Sequence, residues 1–192
     1  MSTEHSQVVV GFDFGHSAEA ALERAIGVAA RAPWHVLHIV CVCDPHFAFP
    51  ALPAKHVDVE YADRVQQEVS RIVEQELKAQ LIADRVHFFV HARIGKPHRE
   101  ILGVAEDVGA DLIIVGCKGV TGLARVMVGS TAERVAREAR CTVEVARPKT
   151  YRHVPLLEIT DAQHEHHKYV PPHRYTYEDR RVMRRPSDWP LY

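Results

Sequence analysis

The chain has 192 residues, 46% of them hydrophobic and 26% charged, with a formal net charge of −1. That length suits one domain with a sizeable core plus an appendage, and the composition is ordinary for a globular protein. The charge balance gives no electrostatic reason to expect nucleic acid or an anionic membrane as partner, and no run of about 18 apolar residues is present to span a bilayer.

Residues 1–7 are polar and the apolar run at 8–14 is too short for a secretory leader, so a cytoplasmic protein is expected. The four cysteines, Cys41, Cys43, Cys117 and Cys141, form no CxxC pair and read as reduced thiols. Cys41 and Cys43, two apart on an expected strand, share a face and read as small buried hydrophobes.

Taken in chain order, residues 7–12 (QVVVGF) form a β-branched run, the mark of a buried strand. Residues 17–31 place Ala21, Leu22, Ala25, Val28 and Ala29 at helical spacing, with Ser17 as the expected N-cap. A second strand is expected over 35–43 (HVLHIVCVC). Pro45, Pro50 and Pro53 then make 44–57 a loop. An amphipathic helix follows over 61–80, with Val65, Val69, Ile72, Val73 and Leu77 on one face. A third strand is expected over 86–92, a helix over 98–108, a fourth strand over 111–115, a helix over 130–139 and a fifth strand over 142–146.

This β-α-β-α-β-α-β-α-β order calls for a doubly wound α/β fold: a five-stranded parallel sheet with right-handed crossovers and helices on both faces. In such sheets ligands bind beyond the carboxyl ends of the strands, at the switch point in strand order. Asp13, after the first strand, and the loop opening at Gly116, after the fourth, lie at such ends. From residue 147 the character changes. The 147–192 extension has six prolines at 148–190, five histidines and five tyrosines, and nine Lys+Arg against six Asp+Glu, whereas residues 1–146 hold 15 against 19. It reads as a basic Pro/His/Tyr-rich appendage to the 1–146 domain. His164, Glu165, His166 and His167 make a candidate metal cluster there, weighed against a plain solvated stretch. The tail's tyrosines and arginines are of a kind that suits single-stranded nucleic acid, but the near-neutral total charge argues against it.

Chemistry concentrates in residues 116–131, GCKGVTGLARVMVGST. Glycine suits places where the backbone turns sharply or approaches a ligand closely. Ser130 to Glu133 has the S-x-x-E form of a capping box, and the free amides of a helix N-terminus with the dipole behind them make an anion site. Lys118 and Arg125 can add charge at the rim. A helix terminus contributes only about 0.3–2 kcal/mol to an anion, whereas micromolar binding needs about 8 kcal/mol. Several amides, the lysine and a buried base must therefore act together.

The spacing Gly116-x2-Gly119-x9-Gly129-Ser130 resembles the nucleotide-binding signature of the universal stress protein family, in its ATP-binding branch. Residues 9–22 (VVGFDFGHSAEAAL), 37–40 (LHIV) and 110–116 (ADLIIVG) are similar to that family's first strand and helix, second strand and fourth strand. The resemblance covers residues 8–146. It implies a Rossmann-like, adenine-nucleotide α-hydrolase-like fold and a stress-response protein that binds ATP, or ADP or AMP, with Mg²⁺. It places Asp13 near the adenosine and has Ile39 contact the adenine through backbone and side chain. It also turns the amides of Cys117, Lys118, Gly119, Ser130 and Thr131 to the phosphates, with Gly116 and Gly129 allowing close approach. Gly15 and Cys117 stand where serine is frequent, and residues 141–145 read CTVEV rather than Cys-Pro-Val-x-Val, which bears on the strand through which relatives dimerise.

No Walker lysine motif and no kinase catalytic set occur in the sequence, so a binding or sensing module with weak ATP hydrolysis at most is expected. The alternatives are a slow ATPase or autophosphorylating enzyme, and an interaction module in which the nucleotide is structural. No catalytic and no metal-ligating residue is assigned. Expected partners are an adenine nucleotide, a second copy through the last strand, and a protein bound by the tail. Membrane is excluded and nucleic acid disfavoured.

Overall fold

The computed structural model describes residues 6–119 and 128–151, and the backbone of two short strands further on. The chain divides into two compact units, Met1–Pro148 and Lys149–Tyr192. In the first, the elements are β1 (Ser6–Phe12), α1 (His16–Ala29), β2 (His35–Cys43), α2 (Val59–Ala79), β3 (His87–Ile94), α3 (Pro97–Val108), β4 (Leu112–Gly116), α4 (Ser130–Glu138) and β5 (Thr142–Ala146). In the second, β6 (Thr176–Asp179) and β7 (Val182–Arg184) pair antiparallel, two strands that the sequence pattern does not announce.

The five strands of the first unit form one parallel sheet in the order β3-β2-β1-β4-β5. The order reverses between β1 and β4, which makes the switch point there. Because the strands are buried on both faces, alternate residues feed two separate cores. Val8, Val10, Phe12, Leu37, Ile39, Cys41, Cys43 and Ile114 pack with α1 and α2, and Val9, Val40, Val42, Ile113 and Val115 pack with α3 and α4. The pair Cys41 and Cys43 lies wholly within the first core, as small buried side chains. No helix among the described residues is long and apolar enough to cross a membrane.

Helix ends follow backbone geometry more than the expected caps. Gly15, extended and without a side-chain bond, occupies the N-cap of α1. Ser17 is not the cap: it lies inside the first turn, buried, with its Oγ 3.4 Å from Cys117 Sγ. The N-cap of α2 is Asp58, whose carboxylate accepts from the Tyr61 amide at 2.9 Å. Pro97 opens α3, where its missing N–H costs nothing, and Gly109 closes it at φ 65°, a left-handed cap that glycine adopts freely.

Two buried polar side chains tie separate elements together. The proline-marked loop after β2 is pinned to α2 by Tyr61, whose hydroxyl accepts from the Phe49 amide (2.7 Å) and donates to the Leu52 carbonyl (3.0 Å). Across β1, β2 and β3, the buried His38 holds Gln7 Oε1 at 2.8 Å through Nε2 and His91 Nε2 at 3.0 Å through Nδ1, while its ring stacks on Phe89. Gln7 Oε1 can only accept, so His38 Nε2 carries the proton and Nδ1 accepts from His91. Burial, with His91 alongside, lowers the His38 pKa to about 4.

Candidate functional site

A cavity of about 1080 Å³ opens beyond the carboxyl ends of β1, β2 and β4. That is slightly above the usual range of about 300–1,000 Å³ for a small-molecule site. Its floor is Gly11, Phe12, Val40, Val42 and Val115, and one wall is the backbone at Gly116, Lys118, Gly119 and Gly129 to Ala132. Asp13 and Asp44 bring negative charge to it, and Lys96, Lys118 and Arg134 positive charge, with the His98 ring beside Arg134.

The turn from β1 into α1 aims Asp13. Phe14 stands at φ 62°, a left-handed conformation that costs a residue with a side chain about 1–2 kcal/mol. Its ring meets Phe12 and Phe49 edge-to-face, both at 5.1 Å, and such pairs each return about 0.5–1.5 kcal/mol. The packing thus offsets the strain. With the turn fixed, the Asp13 carboxylate accepts from the Gly15 amide at 3.0 Å. A Cβ added to Gly119 would lie 3.2 Å from Asp13 Oδ2, so the carboxylate faces the glycine loop across the switch point.

Each glycine of the loop has its own reason. At Gly116 a Cβ would meet the Ser17 carbonyl carbon and oxygen at 2.6 Å. This glycine is required by the start of α1, a protein contact rather than a ligand. At Gly129 a Cβ would make only ordinary contacts, 3.4 Å to the Cys117 carbonyl oxygen and 3.5 Å to Lys118 Cα. The Gly129 amide donates to that same carbonyl at 2.7 Å, which closes the loop's two ends on each other.

Of the residues expected at the site, Asp13, Gly116, Lys118, Gly119, Gly129, Ser130 and Thr131 line this one cavity. Ile39 and Cys117 do not. Ile39 is fully buried in the core under α1 and α2, because the strand pleat turns it away from the face that carries Val40 and Val42. The Cys117 amide donates to the Ala146 carbonyl at 2.9 Å as the last rung between β4 and β5, so it is not turned to a ligand. Its thiol is buried against Ser17. The capping box also needs correction. Gly129 is the N-cap of α4, with no side-chain bond, and Ser130 is the first helical residue. The serine hydroxyl is therefore left at the mouth of the cavity rather than used on the helix. Arg125 and the histidines at 164–167 lie outside the described residues.

The aromatic and basic lining was missed at the sequence level: Phe47 and Phe49 from the loop after β2, Lys96 and His98 from the start of α3, and Arg134 from α4. The prolines identified the loop carrying Phe47 and Phe49. Nothing local in the sequence pointed to His98 or Arg134, which meet only in the fold, Arg134 Nη1 lying 3.4 Å from His98 Nε2.

Comparison with known proteins agrees with this architecture. The universal stress protein MJ0531 of Methanocaldococcus jannaschii is 30% identical over 147 residues, which cover 74% of this chain and 82% of that protein. The solved structure of hypothetical protein MJ0577, from the same organism, has a TM-score of 0.56 at 25% identity and spans 77% of this chain and 99% of the other. A universal stress protein solved in complex with cAMP shares the fold with a TM-score of 0.52 at 23% identity, over 74% of this chain and 97% of its own. The family model described as Universal stress protein family matches residues 5–147, which take in the whole five-stranded sheet, and the chain belongs to that family.

Proposed function

We propose that the protein binds an adenine nucleotide, ATP in first place, across the switch point between β1 and β4, and acts in the cytoplasm as a stress-response sensor or regulatory module. One observation carries this reading. The backbone at Lys118 to Gly119 and at Gly129 to Thr131, where the nine-residue α4 begins, lines the same cavity as Asp13 and an apolar wall of Val40, Val42, Phe47 and Phe49. Helix amides favour phosphate, an apolar wall favours a flat base, and a carboxylate at the strand end suits a sugar hydroxyl. Membership of the family supports the reading, and a protein of the same fold was solved in complex with cAMP.

The donor set fits a Mg²⁺-nucleotide of the usual kind, in which phosphates and water fill most of the coordination sphere and the protein adds one or two carboxylates. Mg²⁺ would neutralise phosphate charge; the chain's own part is to hold the base and orient the phosphates. Residues of the 147–192 tail take no part in this assignment, and we give the tail to a protein partner. The unit itself we propose to be a homodimer through β5, which lies at the sheet edge and has no strand paired to its outer side among the described residues.

Calorimetric titration with Mg²⁺-ATP tests the site, with Gly129→Val as the control. The Gly129 backbone, at φ −69°, accepts a β-branched residue, so the variant folds. On this reading the valine side chain takes space that the phosphate needs, and ATP binding is expected to be lost. Wild-type affinity in the folded variant would remove the proposed site. ATP turnover at several per second that disappears in Asp13→Ala would replace the sensor with an enzyme.

A further inference from the structure

We propose that Lys96, His98 and Arg134 form a second anion subsite in the cavity, which takes the terminal phosphate of a nucleoside triphosphate whose first phosphate lies on the glycine loop. The proposal rests on the nucleotide reading of the cavity and adds to it a preference for the triphosphate.

Three observations meet at this place. The first is charge without a counter-charge. Arg24, Arg71, Arg93, Arg137 and Arg140 each lie within 4.0 Å of a carboxylate; Arg31, Arg64, Arg85, Arg99 and Arg134 form no such pair among the described residues, and of these Arg134 alone lines the cavity. Arg134, at the cavity, has only the His98 ring, at 3.4 Å, among the described residues. A guanidinium has five N–H donors in a fixed fork suited to phosphate oxygens, and one imidazole nitrogen occupies at most one of them.

The second observation is the state of His98. The side chain is 8% exposed, yet it lines the cavity. Facing the Arg134 donor, Nε2 must accept, so the ring is neutral with its proton on Nδ1. Burial lowers its pKa first, then Arg134, with Arg99 and Lys96 adding to the effect and Glu138 alone opposing it. An entering phosphate supplies the missing negative charge. The ring can then take a proton and become a second charged donor beside the guanidinium.

The third observation is the backbone. Lys96 is the N-cap of the twelve-residue α3 and makes no side-chain capping bond, and Pro97 has no amide to offer. The first free helical amide is therefore that of His98 itself, beside its ring, at the positive end of the α3 dipole. The cavity thus has the N-termini of α3 and α4 on its rim, with Lys96 and His98 at the first, Gly129 at the second, and Arg134 reaching His98 from α4.

The test is calorimetry on the full chain with AMP, ADP and ATP, each with Mg²⁺, and separately with pyrophosphate. Arg134 is exposed, so Arg134→Gln is expected to fold as the wild type does; His98→Gln is the second variant, checked by circular dichroism. The expected result is that wild-type protein prefers ATP to AMP, and that Arg134→Gln weakens ATP about tenfold, a 1.4 kcal/mol change, while AMP moves less than about twofold. Equal effects on ATP and AMP, or none on either, overturn the subsite and leave the glycine-loop site standing. If wild-type protein binds no nucleotide, the reading of the cavity fails on its own account and pyrophosphate decides the subsite. Binding that Arg134→Gln weakens about tenfold supports a phosphate site independent of nucleotide, and absence of pyrophosphate binding overturns it.

Discussion

His38 makes the stability of this fold depend on pH in a way that can be worked out beforehand. Its ring is 6% exposed and sits between Gln7 and His91, with Nε2 donating to one and Nδ1 accepting from the other. Protonation would turn Nδ1 into a donor aimed at another N–H, as well as charging a buried ring. The group titrates at about 4 in the folded protein against an ordinary 6.5. The unfolded chain therefore binds the proton first as pH falls, and stability is lost from about pH 6.5 downward, levelling near pH 4. The whole loss is at most about 3 kcal/mol, of which about 2 kcal/mol falls between pH 7 and pH 5. With a urea slope near 2 kcal/mol/M, the midpoint moves down by about 1 M. Other groups titrate in the same window, so the measurement is a comparison. His38→Gln keeps an amide donor for Gln7 and a carbonyl acceptor for His91, without a titrating ring. Urea unfolding followed by circular dichroism at pH 7 and pH 5 should show a clearly smaller shift in the variant. If both proteins lose the same stability, His38 is not buried in the neutral form and the reasoning fails.

Other perturbations have definite outcomes. Gly116→Ala sets a methyl 2.6 Å from the Ser17 backbone, which cannot retreat as a side chain would; the expected cost is about 1–3 kcal/mol, read as a fall of several degrees in thermal midpoint. Light scattering at tens of micromolar should give twice the chain mass, and a monomer mass would rule out pairing through β5. Truncation after Ala146 should leave ATP affinity unchanged in a folded product; lost affinity would assign part of the site to the tail.

The elements were legible because alternation of short β-branched runs with amphipathic stretches is a strong signal, and their order alone called for a parallel sheet. The glycines at 116, 119 and 129, picked out by their spacing, all line the cavity. What could not be read was which way strands face. Residues 35–43 are apolar on both faces, since both sides of the sheet are covered, and the two-residue alternation that would separate Ile39 from Val40 is absent. Caps failed for a related reason. Ser17 and Ser130 have the right chemistry, but glycines at 15 and 129 already occupied the cap positions. The Cys117 amide is engaged by Ala146, and His98 by Arg134, thirty-six residues further along. Contacts of that range leave no trace in local spacing.

The placement of β1 has a consequence for synthesis. It is the middle strand of the sheet and the first one made. Its partner on one side arrives early, with Ser6 paired to His35, but on the other side Gln7 waits for Asp111, 104 residues later. At about 5–20 residues per second, the ribosome takes roughly 5–20 s to supply that stretch. Through this interval β1 keeps an open edge at Val8 to Val10, apolar on both faces, first alone and then with β2 and β3 as they are made. Mutations that slow translation before residue 112 or weaken β4 prolong the exposure of that edge, which ties the protection of the first strand made to the fourth.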